Sequence, residues 1–199
     1  VTLGPRDRLI ESAIELVREQ GVHAAGLATL LERSHASRNS LYQHFPSGKS
    51  ELVEVATKTA GARLVAVTDK ITGSGTAEQW IAALIGWWRR TLEKSAFSTG
   101  CPIVGAALAE SEPRVQAAAG TVLTDWTDRL ANALCDKGLP AEDARSLAGF
   151  VISALEGAVI QSRALKSTRP LDDAQLHLTA LLRSAVPGAR GIGPSPTHG

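Results

Sequence analysis

Apolar positions recur every three or four residues along most of this chain, the period of helices rather than strands. Over residues 5–20, Leu9, Ile10, Ala13, Ile14 and Val17 share one face with Arg and Glu between them, so the spacing predicts an amphipathic helix. Pro5 suits its first turn, where a missing N–H loses no partner, and Gly21 is a natural stop in the left-handed conformation. A short helix is expected over 27–33 on Leu27, Leu30 and Leu31, and Ser34-His35-Ala36-Ser37 reads as a tight turn. Ser37 is placed to cap a second short helix, 38–44, by accepting from an otherwise unpaired amide. Phe45-Pro46-Ser47-Gly48 breaks that helix. A long one follows over 49–71, with Leu52, Val53, Ala56, Ala60, Leu64 and Val67 on its buried side.

The pattern changes after Gly73-Ser74-Gly75. The helix expected over 76–94 is apolar around most of its surface, as a helix at the centre of a bundle would be. A short helix at 102–109, long ones at 113–137 and 140–166 and a last one at 171–185 complete the chain, and the Pro/Gly-rich stretch 187–199 reads as a flexible tail. No strand-like alternation or internal repeat interrupts the series. The fold class expected is all-α.

Composition narrows this further. A chain of 199 residues with 44% apolar and 21% charged positions can fill a real core, either as one helical body or as a small head on a larger one. The net charge is only +1, so any nucleic-acid surface must come from local charge placement. Cys101 and Cys135 make no disulfide framework, which points to a reducing, cytoplasmic setting. The charged opening Arg6-Asp7-Arg8 is unlike a secretory leader, and the apolar runs stop well short of the roughly 18 residues of a membrane span.

The strongest chemical signal lies between Leu30 and Leu52. Two short helices meet at a tight turn with a third helix ahead to brace them, which is the helix-turn-helix plan whose second helix enters the major groove. From Arg33 to Ser50 there are basic residues and histidines but no acid, as a surface facing phosphates requires. Arg38 suits a guanine edge or a phosphate, and Asn39 and Gln43 suit adenine. Ser37, Ser40, Tyr42 and Lys49 are donors fitted to phosphate oxygens, with His44 alongside.

Ser37-Arg38-Asn39-Ser40-Leu41-Tyr42-Gln43-His44-Phe45, followed by Lys49 and Leu52, resembles the recognition helix and next helix start of TetR-family repressors. The likeness runs back through Ala13, Leu16 and Gly21. Two further pieces are similar to the subgroup typified by the lincomycin-resistance regulator: Phe45-Pro46-Ser47-Gly48-Lys49, and Gly100-Cys101-Pro102-Ile103 with Ala109-Glu110-Ser111-Glu112-Pro113. His35 and Asn39 stand where the family often has Gly, and Ala25-Gly26 where it often has a Ser or Thr cap. The resemblance implies an N-terminal three-helix DNA-binding domain (1–50), a C-terminal helical ligand-binding and dimerisation domain (51–186), and two-fold dimers on palindromic operators.

The residues offer their own support for a dimer. Gly149, Ser153 and Gly157 form a small-residue stripe that permits close helix approach, with Leu147, Val151, Leu155 and Ala158 nearby and Leu178 and Leu181 on the last helix. The same stripe would also serve packing within one chain. For a small-molecule site the candidates are Trp80, Trp87, Trp88, Phe97, Cys101, Trp126 and Phe150, with Gln161, Asn132 and Glu156 as polar groups; plain core filling is the alternative. Because no basic cluster lies there, an apolar or aromatic ligand is expected. Cys101 reads either as a thiol sensor beside a helix start or as a small buried residue.

Other classes fit less well. The sequence has no nucleophile motif, no phosphate-cradling glycine loop and no zinc spacing, so neither catalysis, a metal nor a cofactor is expected. The reading is therefore a ligand-released repressor. The alternatives are a DNA-binding regulator without a small ligand and a helical enzyme. An open cavity beside Trp87 and Trp126 would favour ligand control, and a solidly packed back domain the regulator without a ligand.

Overall fold

The computed structural model describes residues 3–186, and the tail expected at 187–199 lies outside them. Among the described residues there are nine helices and no strand: α1 (Pro5–Ala24), α2 (Leu27–Ser34), α3 (Arg38–His44), α4 (Lys49–Thr72), α5 (Ala77–Lys94), α6 (Pro102–Ala107), α7 (Pro113–Asp136), α8 (Ala141–Leu165) and α9 (Arg169–Ala185). Among the described residues no helix is long and apolar enough to cross a membrane.

Local chemistry sets most of the boundaries. Pro5, Pro102 and Pro113 each open a helix at a position where no N–H is needed. Gly21 takes φ 77° and ψ 173°, which breaks α1 before its last turn. His35 ends α2 in the left-handed region at φ 49°, ψ 42°, uncommon but tolerated for His. The Ser37 side chain accepts from the Ser40 N–H at 3.1 Å and starts α3. At α5, Thr76 and Gln79 form a reciprocal capping box.

A head of α1–α3 leads through α4 into a body of α4–α9. Apolar side chains at Leu9, Ala13, Leu16, Leu30, Leu41, Phe45 and Leu52 fill the head and are fully buried or nearly so. In the body α7 lies along α4 and α8, α5 packs on α9, and α6 is wedged between α1 and α7. Two glycines make this closeness possible. A Cβ on Gly61 of α4 would stand 2.3 Å from Val122 of α7, and one on Gly105 of α6 would stand 3.2 Å from Val17 of α1.

Candidate nucleic-acid interface and ligand cavity

α3 is held by two inward anchors. Leu41 and Phe45 are buried, and the Arg6 guanidinium lies 5.4 Å from the centre of the Phe45 ring. With those anchors fixed, helical geometry turns Ser37, Arg38, Asn39, Tyr42 and Gln43 outward, and all five are exposed. Ser40 and His44 are half-buried at the helix flank. Among the described residues the side chains of Arg38, Asn39, Tyr42 and Gln43 make no hydrogen bond to the rest of the chain, so their donors and acceptors are free for an outside partner. The Tyr42 ring lies against Gly48, which takes φ 75°; a Cβ there would approach the ring to 3.2 Å. Gly48 thus lets the phenol lie flat at the start of α4.

Lys49 also has a partner within the chain. Its ammonium donates to the Val22 carbonyl at 3.1 Å, tying the start of α4 to the end of α1. Lys49 is half-buried, and this bond takes one of the three donors of its ammonium.

The Ala109-Glu110-Ser111-Glu112-Pro113 segment, between α6 and α7, is the seam between head and body. The Ser50 hydroxyl donates to Glu112 at 2.6 Å, and Ser111 pairs with His23 Nδ1 at 3.3 Å. A second seam joins the α5–α6 loop to α1: the Gly100 N–H donates to the Arg18 carbonyl at 2.9 Å, and Arg18 Nε donates back to the Gly100 carbonyl at 3.2 Å. From α8, Arg163 donates to the Glu19 carbonyl.

Above these seams lies a cavity of about 190 Å³, walled by Ile14 and Arg18 of α1, Leu64 of α4, Trp87 and Trp88 of α5, and Cys101 and Ile103 at α6. The two indoles meet edge to face with centroids 4.7 Å apart. Arg18 is neutralised by Glu15 at 2.9 Å, and Arg63, also at the wall, by Glu11. Behind Cys101 stands Glu156 of α8, whose carboxyl is buried without a hydrogen-bond partner among the described residues. Burial pushes its pKa up to about 7, offset in part by the Cys101 thiol beside it. The Cys101 thiol is itself pushed up, first by burial and then by the Glu156 charge. A thiol so placed stays protonated, which removes the reactive thiolate that a sensor reading of Cys101 needs.

Comparison with known proteins now bears on both sites. Residues 9–56 match the family model of bacterial regulatory proteins of the TetR family, and residues 77–177 match that of the LmrA/YxaF-like C-terminal domain of transcriptional regulators. The chain is 32% identical over 191 residues to the uncharacterized HTH-type transcriptional regulator Rv0196 of Mycobacterium tuberculosis, covering 92% of this chain and 97% of that protein. The chain belongs to the TetR family. It is also 25% identical over 182 residues to the HTH-type transcriptional regulator LmrA of Bacillus subtilis, covering 89% of this chain and 94% of that one. The crystal structure of a TetR transcriptional regulator from Legionella pneumophila shares the fold at TM-score 0.80 and 18% identity, over 91% of this chain and 98% of that one. This TetR-family chain is a DNA-binding transcriptional regulator, and its kinship with regulators points away from an enzyme.

Within this TetR body, several side chains singled out in the sequence fall away from the cavity. Trp80 is buried, donates its indole N–H to the Ser74 carbonyl at 2.7 Å and lies under Lys137. Trp126 is buried and donates to Thr68 Oγ1 at 2.8 Å. Both indole N–H groups are paired within the chain, and neither ring lines the cavity. Phe97 is half-buried in the α5–α6 loop at φ 59°, and Asn132, Phe150 and Gln161 are exposed. Trp87, Trp88 and Cys101 do line the cavity. Ile14, Arg18, Leu64 and Ile103 line it too, and helical period alone does not separate them from other residues of their helices.

The expected dimer residues also divide. Val151, Leu155, Ala158 and Leu178 are buried within the single chain, because α8 is apolar on two faces and these point toward its own core. Leu147 is half-buried, and Leu181 is 36% exposed. The free face of α8 carries Phe150, Ser153, Gly157 and Gln161, with Phe150 56% exposed and open space beside Gly149 and Gly157.

Proposed function

We propose that this regulator is a homodimeric repressor, released from a palindromic operator when a small apolar or aromatic molecule fills the cavity between α1, α4, α5 and α6. The observation that carries this reading is the position of the cavity. Its walls include α1, which packs on the recognition helix, and α4, which follows that helix in the chain, so a ligand there acts on the head directly. In the division of the chain that we propose, residues 1–50 read DNA and 51–186 bind ligand and partner.

In this reading the two α3 helices of a dimer sit about one DNA turn apart, roughly 34–36 Å. Arg38, Asn39 and Gln43 face base edges, while Ser37, Ser40, Tyr42 and His44 face the backbone. Ligand entry strains the paired hydrogen bonds between Arg18 and Gly100, and α1 and α4 carry the shift to α3. The free apolar face of α8, with Phe150 and Leu181 bordering one groove, supports dimerisation through α8 and α9.

The test is titration of the purified protein on DNA upstream of its own gene, against random competitor, with and without a panel of small aromatic compounds. Footprint symmetry and competitor-resistant binding that at least one compound abolishes is the expected result. Binding that no compound displaces, alongside a Trp87→Ala variant with unchanged DNA affinity, would favour a regulator without a small ligand.

A further inference from the structure

The body leaves few buried polar groups unpaired. Among the described residues they are the Trp88 indole Nε1, both carboxylate oxygens of Glu156 and the Ser162 hydroxyl. Trp88 and Cys101 line the cavity, and the Cys101 thiol adjoins the Glu156 carboxyl, so that carboxyl lies one side chain behind the cavity wall. A buried acceptor with no partner is costly to the fold and is repaid only by a donor that reaches it.

The surrounding charges say which donor. Arg18 is engaged by Glu15, Thr99 and the Gly100 carbonyl. Arg63 is engaged by Glu11, and Arg163 of α8 by the Glu19 carbonyl. The thiol of Cys101 is held neutral by burial and by Glu156. The charge left unbalanced beside the cavity is therefore the Glu156 carboxylate. The cavity walls add two indoles, whose faces attract cations. Its size, about 190 Å³, sets the scale. An apolar cavity of about 150 Å³ holds benzene, so one ring with a short substituent fits here.

We propose that the cavity selects a small one-ring aromatic ammonium ion, its ring against Trp87 and Trp88 and its ammonium on the Glu156 carboxylate once the Cys101 side chain turns aside. This rests on the reading of the cavity as the effector site. Toluene tests the cavity, and benzylamine of similar shape tests the carboxyl.

Binding of both is measured on the full-length protein by calorimetry, from pH 6 to pH 8. Benzylamine remains an ammonium across that range, as Lys does. The expected result is that benzylamine binds about tenfold or more tighter than toluene at pH 8. Its affinity falls as the pH drops below about 7 and Glu156 takes up a proton, while that of toluene stays level. Glu156→Gln removes the preference and leaves toluene binding in place. Equal binding of both probes, flat with pH in the unmodified protein, overturns the role of Glu156 while sparing the cavity. Binding of neither probe overturns both. Because the pH profile needs no variant, the outcome does not depend on Glu156→Gln folding.

Discussion

In the proposed reading of DNA by α3, Arg38 carries the sharpest test. It projects from the first turn of α3, is exposed, and makes no hydrogen bond within the described chain. Its guanidinium thus reaches DNA without first breaking an internal contact. Arg38→Ala should cost about 1–3 kcal/mol on the cognate site and relax the preference at one base pair, if the fork sits on guanine O6 and N7. Competition between the operator and its single-base variants measures both. A uniform loss across all variants and random DNA would place Arg38 on phosphate instead. The outward set on α3 was legible because Leu41 and Phe45 fix the phase of a seven-residue helix. The bond from Lys49 to the Val22 carbonyl was not legible, since nothing in a sequence says that the end of α1 and the start of α4 will meet. Glu156 was named as a polar group for the ligand site, but its lack of a partner appears only once the arginines around it are seen to be engaged elsewhere.

Among the elements, α6 and the segment after it link head and body, and in the proposed function they couple the cavity to α3. α6 lies close on α1 at Gly105, and the following turn holds the head through Ser50 and His23. Glu112→Ala removes the acceptor of the Ser50 hydroxyl while leaving α3 and the cavity walls intact. Stability should fall by about 1 kcal/mol in urea denaturation, as expected for one partly exposed hydrogen bond to a carboxylate. Operator affinity without ligand should hold, and the ligand concentration needed for release should rise. Unchanged release would mean that coupling runs through the Arg18–Gly100 seam alone. The elements themselves were readable from periodicity and breakers, and α3 begins and ends where Ser37 and Phe45 predict. Less readable was which face of α8 meets which neighbour. α8 offers one apolar face to its own chain through Val151, Leu155 and Ala158, and another, with Phe150 and Gly157, to the outside. Period alone cannot rank two such faces.

For the molecule as a whole, α8 is where the proposed dimer and a pH response are tested. A Cβ added at Gly157 would meet nothing within 4 Å in the single chain. Gly157→Leu should therefore leave the fold intact, with helical signal and thermal midpoint close to the parent, yet block the close approach of a second α8. Sedimentation should show a monomer, and operator binding should weaken by more than tenfold, since each half-site alone holds roughly half the contacts. A dimer that persists would move the interface elsewhere. The pH response depends on the protonation of Glu156. In the folded chain its carboxyl titrates near 7 because burial disfavours the charge, against an ordinary value of 4.5. Between those values the folded state holds a proton that the unfolded state has released. Stability contributed by this group is thus complete below about pH 4.5, declines as the pH rises, and levels off above about 7. The loss across that window is roughly 3 kcal/mol. Glu156→Gln cannot ionise, so its stability profile should lack this decline, and the variant should gain on the parent as the pH rises from 5 to 8. Denaturation midpoints at a series of pH values check it. Parallel profiles for parent and variant would mean that the carboxyl keeps its ordinary pKa and is reached by water.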